Sequence, residues 1–226
     1  FVVATEFTKK TYLSNGVNPD KIFVNPYGTN LQYFKNKWEY SVENTPVKKE
    51  ITFLFFGSLT ARKGFPWLCE IWQKISVRYP QAKLIAAGHG NIPDTYSIPE
   101  GIKLLGSIHP QQRNELFAQA DIFVLPSYFE GFAQVIIEAM ACGLPVITTT
   151  HTVGPEIIVD GKNGFLIEPN EDDELFKSIQ FFIENREAVQ TMGMEAYNSV
   201  TPYIWDAYGE RWKSIGETIL HRNEKL

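Results

Sequence analysis

Short apolar runs alternate along the chain with segments of helical or turn-rich character. The runs are continuously hydrophobic, whereas a half-exposed strand would alternate apolar and polar residues, so they are typical of parallel strands covered on both faces. Strand–helix–strand alternation predicts a doubly wound, Rossmann-like α/β sheet with helices on both faces, in which ligands bind beyond the carboxyl ends of the strands. The predicted strands are Ile51–Phe56, Lys83–Ala87, Ile102–Leu105, Ile122–Leu125, Pro145–Thr149 and Gly164–Ile167.

Two apolar stripes predict amphipathic helices between these strands. One stripe extends from Trp67 to Ile75 and is closed by Pro80, and the other extends from Leu175 to Ile183. The second stripe follows an acidic start at residues 171–173. We interpret these acids as the negative charge favoured at a helix N-terminus and not as a metal site.

The first part of the chain does not fit the sheet pattern. Residues 1–35 contain a predicted helix near Glu6–Ser14 and a predicted strand near Lys21–Asn25. Residues 36–49 are polar and charged, and we interpret them as a linker, so that the sheet domain occupies residues 50–201. Because the sequence starts as if at the end of a buried strand, without an initiator Met or a signal peptide, we expect a piece of a longer protein.

The last segment, residues 202–226, holds a predicted helix near Trp205–Leu220. Trp205, Tyr208 and Trp212 form an aromatic stripe on it, which we interpret as a packing face. Where the partner of that face is absent, the stripe is exposed, and this predicts self-association through the helix.

Composition and charge exclude several classes of protein. The 226 residues carry 21 Lys+Arg and 26 Asp+Glu, a net charge of −5, and this acidic balance argues against a nucleic-acid-binding module. Two cysteines, Cys69 and Cys142, exclude a disulfide scaffold, and we interpret both as small core residues. The four histidines have no metal-ligand spacing.

The segment from Pro126 to Val146 carries the densest candidate chemistry. A strand ends before it, a loop follows, and a helix is predicted to begin near Phe132 or Ala133. Free backbone N–H groups at a helix start favour an anion such as a phosphate. Glu138, more than a turn inside that helix, is placed to accept hydrogen bonds from vicinal hydroxyls, and Glu130 in the loop is placed to contact a second polyol.

Two carboxylates beside a phosphate need compensating cations. The segment after the first strand of the sheet supplies candidates. Gly57 ends the strand and permits close backbone approach, and Arg62 and Lys63 can reach over the same strand ends.

In these residues the sequence resembles the retaining glycosyltransferases of family 4. Residues 130–138 are similar to the Glu-x₇-Glu signature of that family and are followed by its Glu-Ala-Met-Ala-x-Gly-Leu-Pro-Val context. A single Glu-x₇-Glu is a weak signal, but an ordered set of landmarks is specific. The others resemble the interdomain element (Val24–Phe34), the phosphate segment (Gly57–Gly64), the Gly-Asp-Gly turn (Gly88–Gly90), the strand end beside the base (Leu105-Gly106) and the closing motif (Gly154–Ile157 and Asp160–Gly164).

The resemblance implies the GT-B architecture, in which two Rossmann-like domains face each other across a cleft. The chain would then be the C-terminal, donor-binding half, residues 1–35 the tail of the N-terminal domain, and the last helix its return toward that domain. The implied reaction transfers a hexose, with retention of configuration, from a UDP-, GDP- or ADP-linked donor to a glycan or lipid-linked acceptor bound by the absent half. The resemblance implies no cofactor and no metal, and a cytoplasmic protein whose peripheral membrane association resides in the absent half.

By residue-wise resemblance, Glu138 holds the ribose hydroxyls, Glu130 the transferred sugar and Lys63 the diphosphate, with Arg62 as an additional cation. Backbone N–H groups after Glu130 bind sugar or phosphate oxygens, and backbone after the third strand of the sheet selects the base. The donor-binding set is completed by Gly57, Ser58, Gly131, Phe132, Ala133, Gln134, Val135, Gly106, Ser107 and Ile108.

The sequence departs from the family at three positions. Ser58 stands where the family usually has Arg, and Arg62 is a candidate to replace the lost charge from another angle. Ala133 replaces a usual Gly, which is tolerable where its φ is negative. His89 replaces an Asp in the Gly-x-Gly turn.

Two other functions stay open beside the transferase. A non-catalytic sugar-nucleotide-binding or assembly module is motivated by Ser58 and by the short chain. A sugar-nucleotide epimerase shares the two-domain fold, although the Glu-x₇-Glu context points away from it. A nicotinamide-dependent dehydrogenase is excluded, because the first strand is followed by Gly-Ser-Leu-Thr-Ala-Arg in place of Gly-x-Gly-x-x-Gly.

Overall fold

The computed structural model describes residues 1–38, 50–90 and 97–223, and the greater part of the predicted linker lies outside these ranges. The strands and α-helices within them alternate through the sheet domain as predicted. In chain order they are β1 (Val2–Val3), α1 (Glu6–Ser14), β2 (Phe23–Val24), β3 (Ile51–Phe56), α2 (Phe65–Arg78), β4 (Ala82–Ala87), β5 (Ile102–Gly106), α3 (Arg113–Gln119), β6 (Ile122–Leu125), α4 (Gln134–Ala141), β7 (Val146–Thr149), α5 (Gly154–Ile157), β8 (Gly164–Ile167), α6 (Asp172–Glu184), α7 (Arg186–Val200) and α8 (Trp205–Asn223).

A six-stranded parallel sheet forms the centre of the molecule. Its strand order is β5-β4-β3-β6-β7-β8, so the chain moves outward from β3 to one edge, returns beside β3 with β6, and continues to the other edge. The order reverses between β3 and β6, and ligands of doubly wound sheets bind in the crevice outside the strand ends at such a switch point. The predicted doubly wound fold is confirmed, and the six strands predicted for this sheet are each found within one residue of their expected bounds. The strand predicted near Lys21–Asn25 is shorter than expected and spans Phe23–Val24.

The core is built from the two faces of this sheet. Every residue of β6 and β7 is buried, which is why their sequences lack polar alternation. The apolar stripe of α2 covers one face, and Trp72 is fully buried with its ring edge-on to Phe53 at a centroid distance of 5.4 Å. The predicted closure of this helix is confirmed, because α2 ends at Arg78 and Pro80 follows.

Strand β5 departs from the expectation of burial on both faces. Among the strands that the structure describes, it pairs only with β4 and so forms an edge of the sheet, and Leu104 and Leu105 are 40% and 37% exposed. An edge strand has a neighbour on one side only, so helices cover it less completely than they cover the central strands.

The N-terminal segment forms a separate small unit. Strands β1 and β2 pair in a two-stranded parallel sheet that is not hydrogen-bonded to the six-stranded one, and α1 has the predicted bounds. Helix α8 packs against this unit. Arg211 donates from Nε to Asn25 Oδ1 at 2.9 Å and from Nη2 to the Pro26 carbonyl at 2.7 Å.

The aromatic stripe of α8 is only partly a packing face. Tyr208 contacts the ring of Tyr27 at a centroid distance of 6.0 Å, whereas Trp205 and Trp212 are 48% and 42% exposed. Self-association through α8 stays a prediction. Among the described residues, no helix combines the length and the apolar character needed to cross a membrane.

Candidate functional site

A cleft of about 630 Å³ opens at the carboxyl ends of β3 and β4 and at the start of α4. It lies at the switch point of the sheet, where this fold class binds its ligands. Most of the predicted donor-binding residues line it, and four residues with no predicted role join them. The lining residues are Tyr27, Phe56, Gly57, Ser58, Lys63, Gly88, His89, Ser107, Ile108, Glu130, Phe132, Ala133, Gln134 and Val135.

Two glycines let the backbone come together at the floor of this cleft. A Cβ on Gly88 would lie 1.8 Å from the carbonyl oxygen of Gly57, so the ends of β3 and β4 could not approach as they do with a larger residue. Gly64 has φ +71° and caps α2, and a Cβ there would lie 1.9 Å from the carbonyl oxygen of Pro126. This close contact holds the turn that carries Lys63 against the end of β6.

Glu130 is the buried acid of the cleft, and two cations hold it. Lys63 Nζ lies 2.7 Å from Glu130 Oε1, and Arg62 Nη1 donates to the same oxygen at 2.9 Å. Arg62 also donates to the Phe129 carbonyl at 3.0 Å. Since two cations meet one carboxylate, the cluster keeps a charge of +1, which favours a phosphate beside it.

Only one of these two cations belongs to the cleft itself. The Lys63 side chain is 13% exposed and lines the cleft, whereas the Arg62 side chain is 54% exposed and lies outside the lining. The structure thus brings together the predicted Glu130, Lys63 and Arg62, and places Arg62 at the rim.

The loop that carries Glu130 is fixed from three sides. The backbone N–H of Glu130 donates to the His151 carbonyl at 2.9 Å, and that of Tyr128 donates to the Arg62 carbonyl at 2.9 Å. Thr149 Oγ1, buried at the end of β7, donates to the Ser127 carbonyl at 2.5 Å. These bonds orient the carboxylate before any ligand arrives.

Ala133 stands at the N-cap of α4 with φ 62° and ψ 60°. A negative φ, the condition under which alanine is tolerable at this position, is therefore not met. The chain has to turn sharply from the loop into α4, and the left-handed conformation makes that turn, which explains the glycine that the family usually has here. The first N–H groups of α4, from Gln134 and Val135, lack partners within the helix and belong to residues lining the cleft.

Glu138 has a partner that the sequence analysis missed. Arg113 Nη1 donates to both oxygens of the Glu138 carboxylate, each at 2.7 Å. The expectation that Arg62 and Lys63 compensate both acids is therefore wrong for Glu138, because its cation comes from the start of α3. Burial raises the pKa of the Glu138 carboxyl, and the charge and hydrogen bonds of Arg113 oppose that rise.

A signal for Arg113 exists in the sequence. It follows the carboxyl end of a predicted strand by a few residues, as Lys63 does, and the carboxyl ends of parallel strands meet at one edge of the sheet. Glu138 and Arg113 lie beside the cleft, outside its lining, as do Gly106 and Gly131.

The remaining unforeseen lining residues come from strand ends and from the N-terminal unit. Phe56 is the last residue of β3, and Tyr27 packs edge-on against Phe132 at a centroid distance of 5.2 Å. Ser58 Oγ lies 3.3 Å from His89 Nε2, so two of the three positions that depart from the family pattern contact each other in the cleft.

Other candidate groups have structural roles. The acidic cluster lies at the start of α6, as expected, and Asp172 Oδ1 accepts a hydrogen bond from Trp67 Nε1 at 2.7 Å. Cys69 and Cys142 are buried in the core, and desolvation raises the pKa of each thiol to about 12. In the part of the chain that the structure describes, no three His, Cys, Asp or Glu side chains are grouped to hold a metal ion.

Comparisons with known proteins agree with the fold. The family Glycosyl transferases group 1 matches residues 36–199. An uncharacterized glycosyltransferase of Haemophilus influenzae is 31% identical over 174 residues, which are 73% of this chain and 48% of that protein. The phosphatidylinositol N-acetylglucosaminyltransferase gpi3 subunit of Schizosaccharomyces pombe is 24% identical over 95% of this chain and 47% of its own length. The chain thus spans about half the length of these relatives.

Solved structures share the fold at low identity. Anabaena Alr3699/HepE, determined in complex with UDP-glucose, superposes with a TM-score of 0.79 at 20% identity, over 96% of this chain and 63% of that one. A sucrose-phosphate synthase from Thermosynechococcus elongatus superposes with a TM-score of 0.77 at 22% identity, over 98% of this chain and 58% of that one.

Proposed function

The chain belongs to the group 1 glycosyl transferases, whose Rossmann-like GT-B fold it shares, and on that premise we propose that it binds the nucleoside diphosphate sugar donor of a retaining hexosyl transfer. The acceptor, a glycan or a lipid-linked sugar, would bind outside this chain, which spans about half of its relatives.

One observation carries the proposal. The Lys63–Glu130 pair lies in the same cleft as the free N–H groups at the start of α4. A diphosphate there meets a residual positive charge and the positive end of a helix dipole. Departure of the diphosphate from the sugar places further negative charge on its oxygens, and donors already aimed at that position stabilise it.

The neighbouring groups supply the rest of a donor site. Glu130 is placed to accept hydrogen bonds from the hydroxyls of the hexose, because its carboxylate faces the cleft beside the diphosphate position. We assign Glu138, which lies beside the cleft, to the ribose, and the backbone of Ser107 and Ile108, which line the cleft, to the base. HepE was determined with UDP-glucose, which supports a sugar nucleotide as the ligand of this fold and favours UDP among the three candidates.

Retention of configuration requires the acceptor oxygen to enter on the face from which the diphosphate leaves. The bond from the anomeric carbon to the diphosphate oxygen breaks, the bond to the acceptor oxygen forms, and the acceptor proton passes to the departing phosphate. Lys63 stabilises the phosphate in this proposal, and Glu130, engaged by two cations, orients the sugar.

A non-catalytic sugar-nucleotide-binding module is the second candidate. The observation in its favour is Ser58, which contacts His89 where a family member usually carries an arginine. Loss of a fixed cation weakens stabilisation of the leaving diphosphate more than it weakens ground-state binding.

Calorimetric titration with UDP, GDP and ADP tests donor binding. We expect one of the three to bind, and Glu138→Ala to weaken it about tenfold or more, as for the loss of hydrogen bonds to a charged group. Glu195→Ala is the matched control, because it removes a carboxylate that pairs with Lys162 and does not line the cleft. Binding of none of the three nucleotides would overturn the proposal.

Transfer itself is tested on the whole protein. Release of the nucleoside diphosphate from a sugar nucleotide in the presence of acceptor separates the transferase from the binding module. The NMR coupling constant of the anomeric proton in the product then decides between retention and inversion.

A further inference from the structure

The Arg113–Glu138 pair lies beside the cleft, next to residues that line it. Arg113 Nη1 lies 2.7 Å from each oxygen of Glu138. We propose that Arg113 is a positioning residue that orients the Glu138 carboxylate toward the ribose hydroxyls, and thereby sets a preference for ribonucleotides over 2′-deoxyribonucleotides. This inference rests on the proposed function and names a residue to which the family resemblance gives no role.

The pair adjoins the cleft through the residues next to it. Glu138 follows Gln134 by one helical turn on α4, and residues four apart share a helix face. The Arg113 guanidinium lies 5.2 Å from the ring centroid of Phe56, which lines the cleft. The carboxylate therefore lies on the face of α4 that carries a lining residue.

Arg113 is itself held in place. Asn114, the next residue, donates from Nδ2 to the Tyr33 carbonyl at 2.6 Å, and the Tyr33 hydroxyl donates to the Pro110 carbonyl at 3.2 Å. The cation–π contact with Phe56 adds a second restraint on the guanidinium. A side chain fixed at both its backbone and its head group can orient the acid that it binds.

The pair leaves Glu138 able to bind a ligand. An ionised carboxylate accepts about four hydrogen bonds, and one Arg113 nitrogen uses one position on each oxygen. Burial raises the pKa of the Glu138 carboxyl, and the charge and hydrogen bonds of Arg113 oppose that rise, so the pair favours the ionised form, which accepts from both vicinal hydroxyls. Without the arginine, the carboxylate loses the partner that fixes its orientation.

The experiment compares a ribonucleoside diphosphate with its 2′-deoxy counterpart, using whichever of UDP, GDP and ADP binds. Calorimetric titrations of the wild type, Arg113→Leu and Arg113→Lys give the ratio of the two dissociation constants. We expect the wild type to prefer the ribonucleotide about tenfold, and Arg113→Leu to reduce the preference to less than about threefold. Arg113→Lys, which keeps the charge without the planar fork, should retain an intermediate preference.

Arg186→Leu is the matched control, because it replaces an arginine whose Nη1 donates to a backbone carbonyl, that of Glu50, and not to Glu138. The ratio of the two dissociation constants for this variant should equal that of the wild type. Thermal unfolding of each variant identifies any that do not fold, and Arg113→Lys then decides in place of Arg113→Leu.

Three results would overturn the inference while leaving the proposed function intact. One is a wild type that binds both nucleotides equally. Another is a folded Arg113→Leu variant with the wild-type ratio, which makes the pair purely structural. The third is tighter ribonucleotide binding by Arg113→Leu, which means that the arginine competes with the ribose. If no nucleoside diphosphate binds the wild type, the proposed function fails and this inference fails with it.

Discussion

Thr5 and Gly131 are 126 residues apart in the sequence, and the Thr5 hydroxyl donates to the Gly131 carbonyl oxygen at 3.1 Å. Thr5 is fully buried and also caps α1, because its Oγ1 accepts from the backbone N–H of Thr8 at 3.0 Å. Next to it, the ring of Phe7 stacks on His151 at a centroid distance of 5.0 Å. The N-terminal unit is thereby joined to the loop that carries Glu130.

Replacing Thr5 by valine tests this link. Thr5→Val keeps the shape of the side chain but removes the helix cap and the bond to Gly131, and we expect a loss of about 1–2 kcal/mol in the free energy of unfolding. Thr5→Ser keeps the hydroxyl and should lose less. Denaturant unfolding measures both variants, and equal stability of Thr5→Val and the wild type would contradict the prediction.

The strained N-cap of α4 predicts a substitution that stabilises the fold. In the left-handed conformation, a residue with a Cβ is strained by about 1–2 kcal/mol, and Ala133→Gly removes this strain. Glycine also loses more conformational entropy on folding, so we expect a net increase of up to about 1 kcal/mol in the free energy of unfolding. Gly131→Ala, two residues earlier, is the paired control. A Cβ there meets nothing within 4 Å, so that variant should be neutral or slightly stabilising. A midpoint of thermal unfolding for Ala133→Gly that lies below that of the wild type would contradict this prediction.

Lys63 and Arg62 should differ in their effect on nucleotide binding, although both pair with Glu130. Lys63 lines the cleft and is largely buried, whereas Arg62 is half-exposed at the rim and its charge is screened by water. We expect Lys63→Met to weaken binding of the nucleoside diphosphate about tenfold or more, and Arg62→Met to weaken it less than about threefold. Calorimetric titration measures both, and a larger effect of Arg62→Met would assign the phosphate to Arg62.

Glu156 predicts a pH dependence of stability. Its carboxylate accepts from the backbone N–H of Glu6 at 2.8 Å. Burial raises the pKa of Glu156 above the ordinary 4.5, this hydrogen bond opposes the rise, and the charge of Glu6 adds a smaller contribution to it. The folded protein then binds the proton of the Glu156 carboxyl more tightly than the unfolded chain does. The resulting contribution to the free energy of unfolding is present at low pH and is lost as pH rises from 4.5 through the raised pKa. Glu156→Gln keeps the acceptor oxygen but does not titrate. As pH rises through this range, the free energy of unfolding of the variant should therefore increase relative to that of the wild type.

Chemical unfolding at a series of pH values measures that difference. Glu6→Gln removes the neighbouring charge that also raises the pKa of Glu156. The pH range over which the stability changes should therefore become narrower in this variant without disappearing. A constant difference between Glu156→Gln and the wild type from below pH 4.5 to neutrality would show that the folded and unfolded pKa values of Glu156 are equal.

The features predicted best from the sequence are those that depend on neighbouring residues alone. Continuous apolar runs placed each strand of the six-stranded sheet within one residue, because burial on both faces disfavours polar residues in a segment regardless of its partners. The loop acid Glu130 and the cation Lys63 were found because both follow strand ends, and parallel strand ends share one edge. The roles assigned to them in donor binding stay predictions.

The features that were missed depend on which segments meet. Sheet order puts β5 at an edge and exposes Leu104, although its sequence resembles that of the buried strands. Tyr27 enters the cleft from a unit far away in the chain, and φ at Ala133 follows from the turn imposed by both neighbours of that position.

The sequence by itself determined the alternation of strands and helices, the doubly wound fold and the edge of the sheet where the site lies. Hydrophobic periodicity encodes these features, because the spacing of side chains along a strand or helix is a property of the local backbone. Only the tertiary structure decided that Glu138 pairs with Arg113, and that Lys63 and Arg62 both pair with Glu130. Pairing of charges is set by the positions of whole elements and by the reach of each side chain, and sequence spacing carries no record of either.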